Sequence, residues 1–240
     1  MECAATRARS RQGAPGAAPA ALPSGARAVR ARRGIHTRER PELTLITDIA
    51  SRAADTDAPL IDPLIERWSP RAFDPEAVVP EAQLKTMLEA ARWAPSAANT
   101  QPWRFIVARR GEAAFDAIHE TMRDFNRVWA DRASVLIANV ARTVGDDGTP
   151  MPWGLYDLGQ AVAHLTIQAQ HDGLHTHQMG GFDADAIAAA FGLGEGMRVV
   201  SVTAVGMLGP IDELDERFLA RESAPRTRLP LAEIVIRPEG

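Results

Sequence analysis

The chain has 240 residues, a net charge of −4 and one cysteine, Cys3. A single cysteine provides neither a disulfide within the chain nor a thiolate metal site. No stretch approaches the roughly 18 apolar residues that cross a membrane, and Arg32-Arg33 is not followed by the apolar run of an export signal. We therefore expect a cytoplasmic protein without membrane association.

The first 40 residues differ in charge from the rest of the chain. They contain nine arginines and two acids, a net charge of +7, which leaves −11 for residues 41–240. The segment is rich in Ala, Pro and Gly and has no apolar periodicity, so it cannot bury enough surface to offset its ordering entropy. We predict a disordered basic extension over residues 1–58 and one folded domain over residues 59–240.

Three origins of this extension stay open. It could be an Arg-rich targeting segment, a nucleic-acid-binding arm, or translated sequence upstream of the true start. The third is favoured because the chain contains 26 arginines but only one lysine, Lys85, which indicates codon bias. The acidic domain has no basic stripe, so we expect no nucleic-acid partner for it.

Apolar spacing predicts the elements of the domain in chain order. Helices are predicted over residues 61–68, 80–91, 113–122, 153–172 and 185–191, and strands over residues 105–108, 134–141 and 199–207, with Val200, Val202 and Ala204 on one face of the last strand. Residues 125–129 read as less regular, residues 208–225 as a polar connection, and residues 231–236 as a strand-like arm.

Residues 93–103 separate an amphipathic helix from an apolar run. Pro95 and Pro102 disfavour helical angles in the residues before them. Between the prolines lie small residues and two side-chain amides, Asn99 and Gln101. An amide offers an acceptor and two donors, which suits a planar heterocycle. A helix-to-strand connection whose amides cap the local backbone is the alternative.

Two pairs of arginines could bind an anion. Arg67 and Arg71, with the hydroxyl of Ser69 between them, place two guanidinium groups within five residues, and each can donate paired bonds to phosphate oxygens. Arg226 and Arg228 lie two residues apart, so in an extended segment both point the same way. A solvated, charged helix end is the alternative for the first pair.

Residues 174–183 combine two histidines with two glycines. His175 and His177 alternate as on a strand, and further ligands are missing nearby, so we expect them to be structural or solvent-facing and predict no metal site. Gly180 and Gly181 lack side chains, which leaves their backbone N–H groups free to point at a ring.

The helix predicted over residues 153–172 is apolar on more than one face. Such a helix needs a second packing partner, and another copy of the chain would supply it in a symmetric dimer. Burial of the whole helix in the chain's own core is the alternative.

Four stretches, in order along the chain, resemble the nitroreductase family of FMN-dependent flavoreductases. They are RWSPRAFD at residues 67–74, WAPSAANTQPW at residues 93–103, MGGFD at residues 179–183 and RTRLP at residues 226–230. The resemblance implies an α+β fold of three layers, in which a mixed, mostly antiparallel sheet is flanked by helices. It also implies an intertwined homodimer with the flavin at the interface and a C-terminal arm that reaches the partner.

The resemblance implies an FMN site. The expected cofactor-binding residues are Arg67, Trp68, Ser69, Arg71, Ser96, Ala97, Asn99, Gln178, Met179, Gly180, Gly181, Arg226 and Arg228. In the family, the first and last stretches hold the phosphate, the position of Arg71 lies near the pyrimidine edge, and the glycine backbone donates to the central ring nitrogen. Some members have an acidic residue where this chain has Gly180, and proline where it has Gln178, departures that bear on substrate preference.

The implied activity takes a hydride from NADPH or NADH and reduces a nitroaromatic, quinone or similar flat small-molecule acceptor in two half-reactions. Because the cofactor carries this chemistry, we expect no catalytic side chain. The absence of a Gly-x-Gly-x-x-Gly turn agrees with a phosphate held by arginines. A specialised relative, such as a flavin dehydrogenase or a reductive dehalogenase, and a flavin-binding protein without turnover are the alternatives.

Overall fold

A computed structural model describes residues 52–237 of the chain. The predicted disorder of residues 1–51 lies outside the described residues. The described helices are α1 (Asp62–Glu66), α2 (Glu81–Arg92), α3 (Ala113–Glu120), α4 (Asp124–Ala130), α5 (Gly154–His171), α6 (Ala184–Ala190), α7 (Glu216–Ser223) and α8 (Leu231–Ile234). The strands are β1 (Trp103–Arg109), β2 (Val135–Arg142), β3 (His175–Met179) and β4 (Met197–Gly206), and single 3₁₀ turns span Ala97–Asn99 and Ile211–Glu213.

The four strands form one sheet in the order β1-β2-β4-β3. All three pairings are antiparallel, which differs from the mixed sheet that the resemblance implied. A parallel pairing would have to involve a strand from outside these four. The predicted α+β class is confirmed.

Alternation along β2 divides the core into two halves. Leu136 and Ala138 pack with residues of α3, α4 and α6 on one face of the sheet. Val135 and Ile137 pack with residues of α2 and α5 on the other. Because successive strand side chains point to opposite faces, this fully buried strand is apolar almost throughout. The resulting helix–sheet–helix arrangement confirms the predicted three layers.

A bulge in β4 changes which of its valines is buried. The register with β2 shifts between Asn139 and Val140, so that Val199 pairs with Val140 and Ser201 with Asn139. The extra residue, Val200, is 38% exposed, whereas Val199 is 5% exposed. The prediction that Val200 shares the buried face is therefore wrong, because a bulge interrupts the two-residue alternation.

Three segments are more helical than the sequence indicated. Residues 125–129 belong to α4, and its Trp129 is completely buried. The connection at residues 208–225 contains α7, whose start is capped by Asp215 accepting from the Arg217 N–H at 3.0 Å. The arm at residues 231–236 begins with α8 rather than with a strand. Short amphipathic helices give weak periodic signals, which a polar composition obscures.

None of the helices described in residues 52–237 is long and apolar enough to cross a membrane.

Candidate functional site

The first arginine stretch is held in place by a buried carboxylate on α7. Glu222 is 1% exposed, and its Oε1 accepts from the backbone N–H groups of Arg71 at 2.8 Å and Ala72 at 3.2 Å. Its Oε2 lies 3.5 Å from Nη1 of Arg71. The same residue therefore fixes the backbone after α1 and the position of the Arg71 guanidinium. Sequence reasoning missed Glu222, because the segment read as a polar connection.

Besides Arg221 on α7, whose charge helps to lower the pKa of Arg71, five basic side chains lie around this stretch. We call them the arginine cluster: Arg52, Arg67, Arg71, Arg226 and Arg228. Burial lowers the pKa of the Arg226 guanidinium, and the positive charges of Arg67, Arg228 and Arg52 lower it further. Burial and the charge of Arg228 likewise lower the pKa of Arg67. The charges of Arg226 and Arg228 therefore lie close enough to that of Arg67 to affect it, and binding of one anion by both pairs stays a prediction.

The cluster contains much more positive than negative charge. Arg71 has its ion pair with Glu222, but within residues 52–237 no carboxylate pairs with the other four arginines. Like charges that are gathered without counter-ions repel each other. Such an arrangement is suited to a multiply charged anion.

Arg226 ties the C-terminal segment to the chain around α1. Its Nη1 donates to the backbone oxygens of Arg52 at 2.8 Å and Ile65 at 2.6 Å. Ile65 also accepts from the Ala54 N–H at 2.8 Å. Residues 52–58, which sequence reasoning joined to the N-terminal extension, thus contribute contacts here, and the boundary at residue 58 stays a prediction.

The stretch with the two amides forms an exposed loop, which we call the 97–101 loop. Ala98, Asn99 and Gln101 have φ angles of 48°, 56° and 48°, in the left-handed region that residues other than glycine seldom occupy. The Gln101 N–H donates to Ser96 Oγ at 3.1 Å, and Gln101 Nε2 donates to the Asn99 carbonyl at 3.2 Å. The predicted local capping is present, and it leaves the Asn99 side chain exposed.

The first turn of α5 holds the 97–101 loop. Asp157, which is 2% exposed, accepts from the Ala97 N–H at 3.1 Å. Gly154 is the first residue of α5. A Cβ at this position would stand 2.2 Å from the carbonyl oxygen of Arg142 on β2. Sequence reasoning missed both residues. One signal was available in the sequence: Asp157 is an acid on the same helix face as the apolar residues Leu158 and Ala161, which α5 buries.

The third group of predicted residues lies at the end of β3. Gln178 Nε2 donates to Thr166 on α5, and the side chain of Met179 is buried in the core. A Cβ on Gly180 would meet nothing within 4 Å, and its N–H has no hydrogen-bond partner in the described chain. Gly181 differs, because a Cβ there would lie 2.8 Å from Asn126 Nδ2.

The two histidines of β3 are half-buried, which fits the structural role that was one of the two expectations for them. Burial lowers the pKa of His175 to about 4 and that of His177 to about 4. Nδ1 of His177 lies 2.8 Å from the Pro70 carbonyl, and its ring lies 4.6 Å from that of Trp129. His177 therefore joins β3 to the first arginine stretch. No metal-binding group of side chains occurs in the described residues.

The predicted site residues thus lie in three places that share supports. Glu222 and His177 hold the stretch containing Arg67, Trp68, Ser69 and Arg71, while α5 contacts both the 97–101 loop and the end of β3. Asp157 and Thr166 are nine residues apart on α5, which separates these two contacts by about 14 Å along the helix axis. The place around Arg67 and Arg71 is therefore strongly basic, and the other two places present backbone and amide groups.

Comparison with known proteins identifies the family of the chain. The model of the Nitroreductase family matches residues 64–207. A Mycolicibacterium smegmatis protein, named "Uncharacterized 15.4 kDa protein in ask 5'region", is 39% identical over 138 residues, which cover 55% of this chain and 92% of that protein. The Major NAD(P)H-flavin oxidoreductase of Aliivibrio fischeri is 34% identical over 116 residues, covering 45% of this chain and 49% of that protein.

A solved structure extends the similarity over almost the whole described domain. It is described as the crystal structure of "the oxidoreductase containing FMN", with a TM-score of 0.73 and 34% identity, covering 79% of this chain and 97% of that chain. The matched family residues comprise α1 to β4, and thus the sheet and most of the candidate site. The chain belongs to the nitroreductase family.

Proposed function

We propose that the protein is an FMN-dependent oxidoreductase that uses NADH or NADPH to reduce a nitroaromatic, quinone or similar flat acceptor. The observation that carries the proposal is the arginine cluster, in which four of five guanidinium groups lack a carboxylate partner within residues 52–237. Names of relatives add support, since one is an NAD(P)H-flavin oxidoreductase and one solved structure contains FMN.

The residues present fit FMN at both ends of the molecule. The cluster matches a phosphate dianion, because guanidinium groups donate paired bonds to phosphate oxygens. Nε of Arg71 is buried without a partner in the described chain, and so remains available as a donor. At the opposite end, the open space beside Gly180 and its unused N–H suit the approach of a flat ring.

Each group of residues has a role in this proposal. Arg67, Arg226 and Arg228 bind the phosphate, with Trp68 and Ser69 beside the chain that joins it to the ring. Arg71, positioned by Glu222, offsets negative charge at the pyrimidine edge. Backbone and amide groups at Ser96, Ala97 and Asn99 and at the 178–181 segment orient the ring. When bound, FMN supplies the hydride and electron transfer.

We propose that the working form is a homodimer. Residues 224–237 are almost entirely exposed, and within them Leu231 is 71% exposed and Ile236 93% exposed. On α5, Leu155 and Tyr156 are also exposed although the opposite face is buried. Apolar surfaces of this kind mark interaction sites, and a second copy would cover both. Size-exclusion chromatography with light scattering would measure the mass.

Two alternatives share the fold. A specialised relative, such as a flavin dehydrogenase or a reductive dehalogenase, would use the same cofactor on another acceptor. A flavin-binding protein without turnover would bind FMN without being reduced by NADH or NADPH. Anaerobic addition of each nucleotide separates a reductase from a carrier, because a flavin reduced by NADH or NADPH loses its yellow colour and the flavin of a carrier keeps it. Reoxidation of the reduced protein by different acceptors then separates a specialised relative.

The assignment of the phosphate is tested by removing its arginines. We expect Arg67→Ala and Arg228→Ala each to weaken FMN binding by about 1.5–3 kcal/mol, the scale of a lost charge-assisted hydrogen bond. Fluorescence titration of the apoprotein measures the affinity. Arg92→Ala is the control, since Arg92 is exposed on α2 and paired with Glu89. Unchanged affinity in both cluster variants would refute the assignment.

A further inference from the structure

Arg52 lies outside the residues that match the family model, 64–207, and inside the segment that the sequence assigns to a disordered extension. Its guanidinium carbon stands 4.0 Å from the ring centroid of Trp68. Its backbone oxygen accepts from Nη1 of Arg226 at 2.8 Å. Arg52 is therefore held on two sides by residues of the first and last arginine stretches.

The guanidinium of Arg52 has unused donors. Its Nε and Nη1 are buried and have no hydrogen-bond partner in the described part of the chain. Buried donors of this kind are normally satisfied. Stacking on Trp68 restrains the plane of the group but satisfies none of its N–H donors, since a ring face acts on the cation as a whole.

The guanidinium of Arg52 has charged neighbours, but none of them accepts its unused hydrogen bonds. Glu222 attracts the guanidinium, and Arg71 repels it less strongly. Glu222 already accepts from the N–H groups of Arg71 and Ala72, and no hydrogen bond joins it to Arg52 among the described residues. A phosphate that lies between Arg52 and the rest of the cluster would accept the unused hydrogen bonds and relieve the repulsion.

We infer that Arg52 is a further binding residue for the phosphate of the flavin, supplied by the segment N-terminal to α1. The inference rests on the proposed FMN function and adds a fourth arginine to the phosphate site, one that none of the four family-like stretches contains. It also makes residues 52–54 part of the site. This segment is attached by two hydrogen bonds, from the Ala54 N–H to the Ile65 oxygen and from Arg226 to the Arg52 oxygen.

The test compares a ligand with the phosphate and one without it. Apoprotein of the full chain is titrated with FMN and with riboflavin by following flavin fluorescence. We expect Arg52→Gln to weaken FMN binding about tenfold, as for a lost charge-assisted hydrogen bond, and riboflavin binding less than about twofold, since riboflavin makes no phosphate contact. Raising the salt concentration should reduce the FMN effect, because salt screens charges.

Arg92→Gln is the matched control, since Arg92 also stacks on a tryptophan, with its guanidinium carbon 5.0 Å from the Trp93 ring centroid. Both affinities should stay unchanged in it. Arg52→Lys, which keeps the charge but loses the planar fork, should weaken FMN binding by a few-fold and leave riboflavin binding unchanged. If Arg52→Gln fails to fold, the FMN and riboflavin affinities of Arg52→Lys test whether Arg52 binds the phosphate.

Equal losses for FMN and riboflavin would overturn the inference, because they would make Arg52 only a support for Trp68. No loss for either ligand would overturn it as well. Arg67→Gln, measured in the same way, separates this failure from a failure of the proposed function. If Arg67→Gln weakens FMN binding selectively and Arg52→Gln does not, only the role of Arg52 is wrong. If neither does, the phosphate lies elsewhere.

Discussion

The arginine cluster and the 97–101 loop would be the two ends of the proposed FMN site, and they are built on different principles. The cluster gathers side-chain charges from segments far apart in the chain, fixed by the buried Glu222. The loop relies on its backbone, with three residues in the left-handed region and one buried carboxylate, Asp157, that accepts from Ala97.

This difference separates two tasks within one site. The charge of a phosphate does not change during the reaction. Residues that bind it therefore stabilise the ground state and the transition state equally, and they contribute to affinity without changing the rate. Groups next to a ring whose charge changes can act on the rate. We therefore expect changes in the cluster to alter chiefly binding and folding, and changes at the loop and at Gly180 to alter chiefly the rate of flavin reduction.

The largest effect is expected where the cluster depends on one carboxylate. Glu222→Ala leaves the Arg71 guanidinium without its counter-ion and two backbone N–H groups without an acceptor. Breaking a buried ion pair in this way costs about 3–5 kcal/mol, so the free energy of unfolding should fall by that amount. Urea denaturation of the apoprotein measures it.

Glu222→Gln keeps an oxygen that can accept from the N–H groups of Arg71 and Ala72 while it removes the negative charge. We expect it to be less destabilising than Glu222→Ala. If the alanine variant unfolds at the same urea concentration as the parent, the cluster does not depend on Glu222, and the contrast between the two ends loses its main support.

The next effect concerns the other end. Asn99→Ala and Gly180→Pro should each slow flavin reduction roughly ten- to a hundredfold, because a hydrogen bond to a group whose charge changes is worth about 1–3 kcal/mol. FMN affinity should change much less. Stopped-flow bleaching by NADPH under nitrogen measures this half-reaction without a natural acceptor.

Gly180→Ala is the matched control for the proline variant. It adds a Cβ where nothing lies within 4 Å and keeps the backbone N–H that proline removes. Its reduction rate should equal that of the parent. Parental rates in both Asn99→Ala and Gly180→Pro, with FMN still bound, would place the ring outside these two segments.

The smallest effect is expected from the basic extension. Deleting residues 1–40 should leave FMN content, dimer mass and turnover with a synthetic acceptor unaltered, because the deletion spares Arg52. Loss of folding would show that the extension is an ordered part of the domain. If the extension instead binds nucleic acid or directs import, the truncated and full-length proteins should differ in a salt-dependent DNA mobility shift or in localisation.

Apolar periodicity predicted the elements of the core well because it reports burial directly, whereas the three layers were implied by the family resemblance. The apolar β2 and the 3.6-residue pattern of α2 both lie where expected. It failed at Val200, because a bulge depends on the partner strand, and at α7, where a polar composition hid a helix. Arg52 could not be told apart from the arginines before it, since only tertiary contacts with Trp68 and Arg226 distinguish it.

The contact between Gly154 and β2 limits how the proposed site could be altered to accept another acceptor. Since a Cβ at residue 154 would lie 2.2 Å from the Arg142 carbonyl oxygen, helix and strand touch backbone to backbone. Asp157 follows within one turn and holds Ala97. The loop is thereby joined to the sheet through the first turn of α5. A design that alters the acceptor range should therefore change exposed side chains of the loop and keep Asp157 and Gly154.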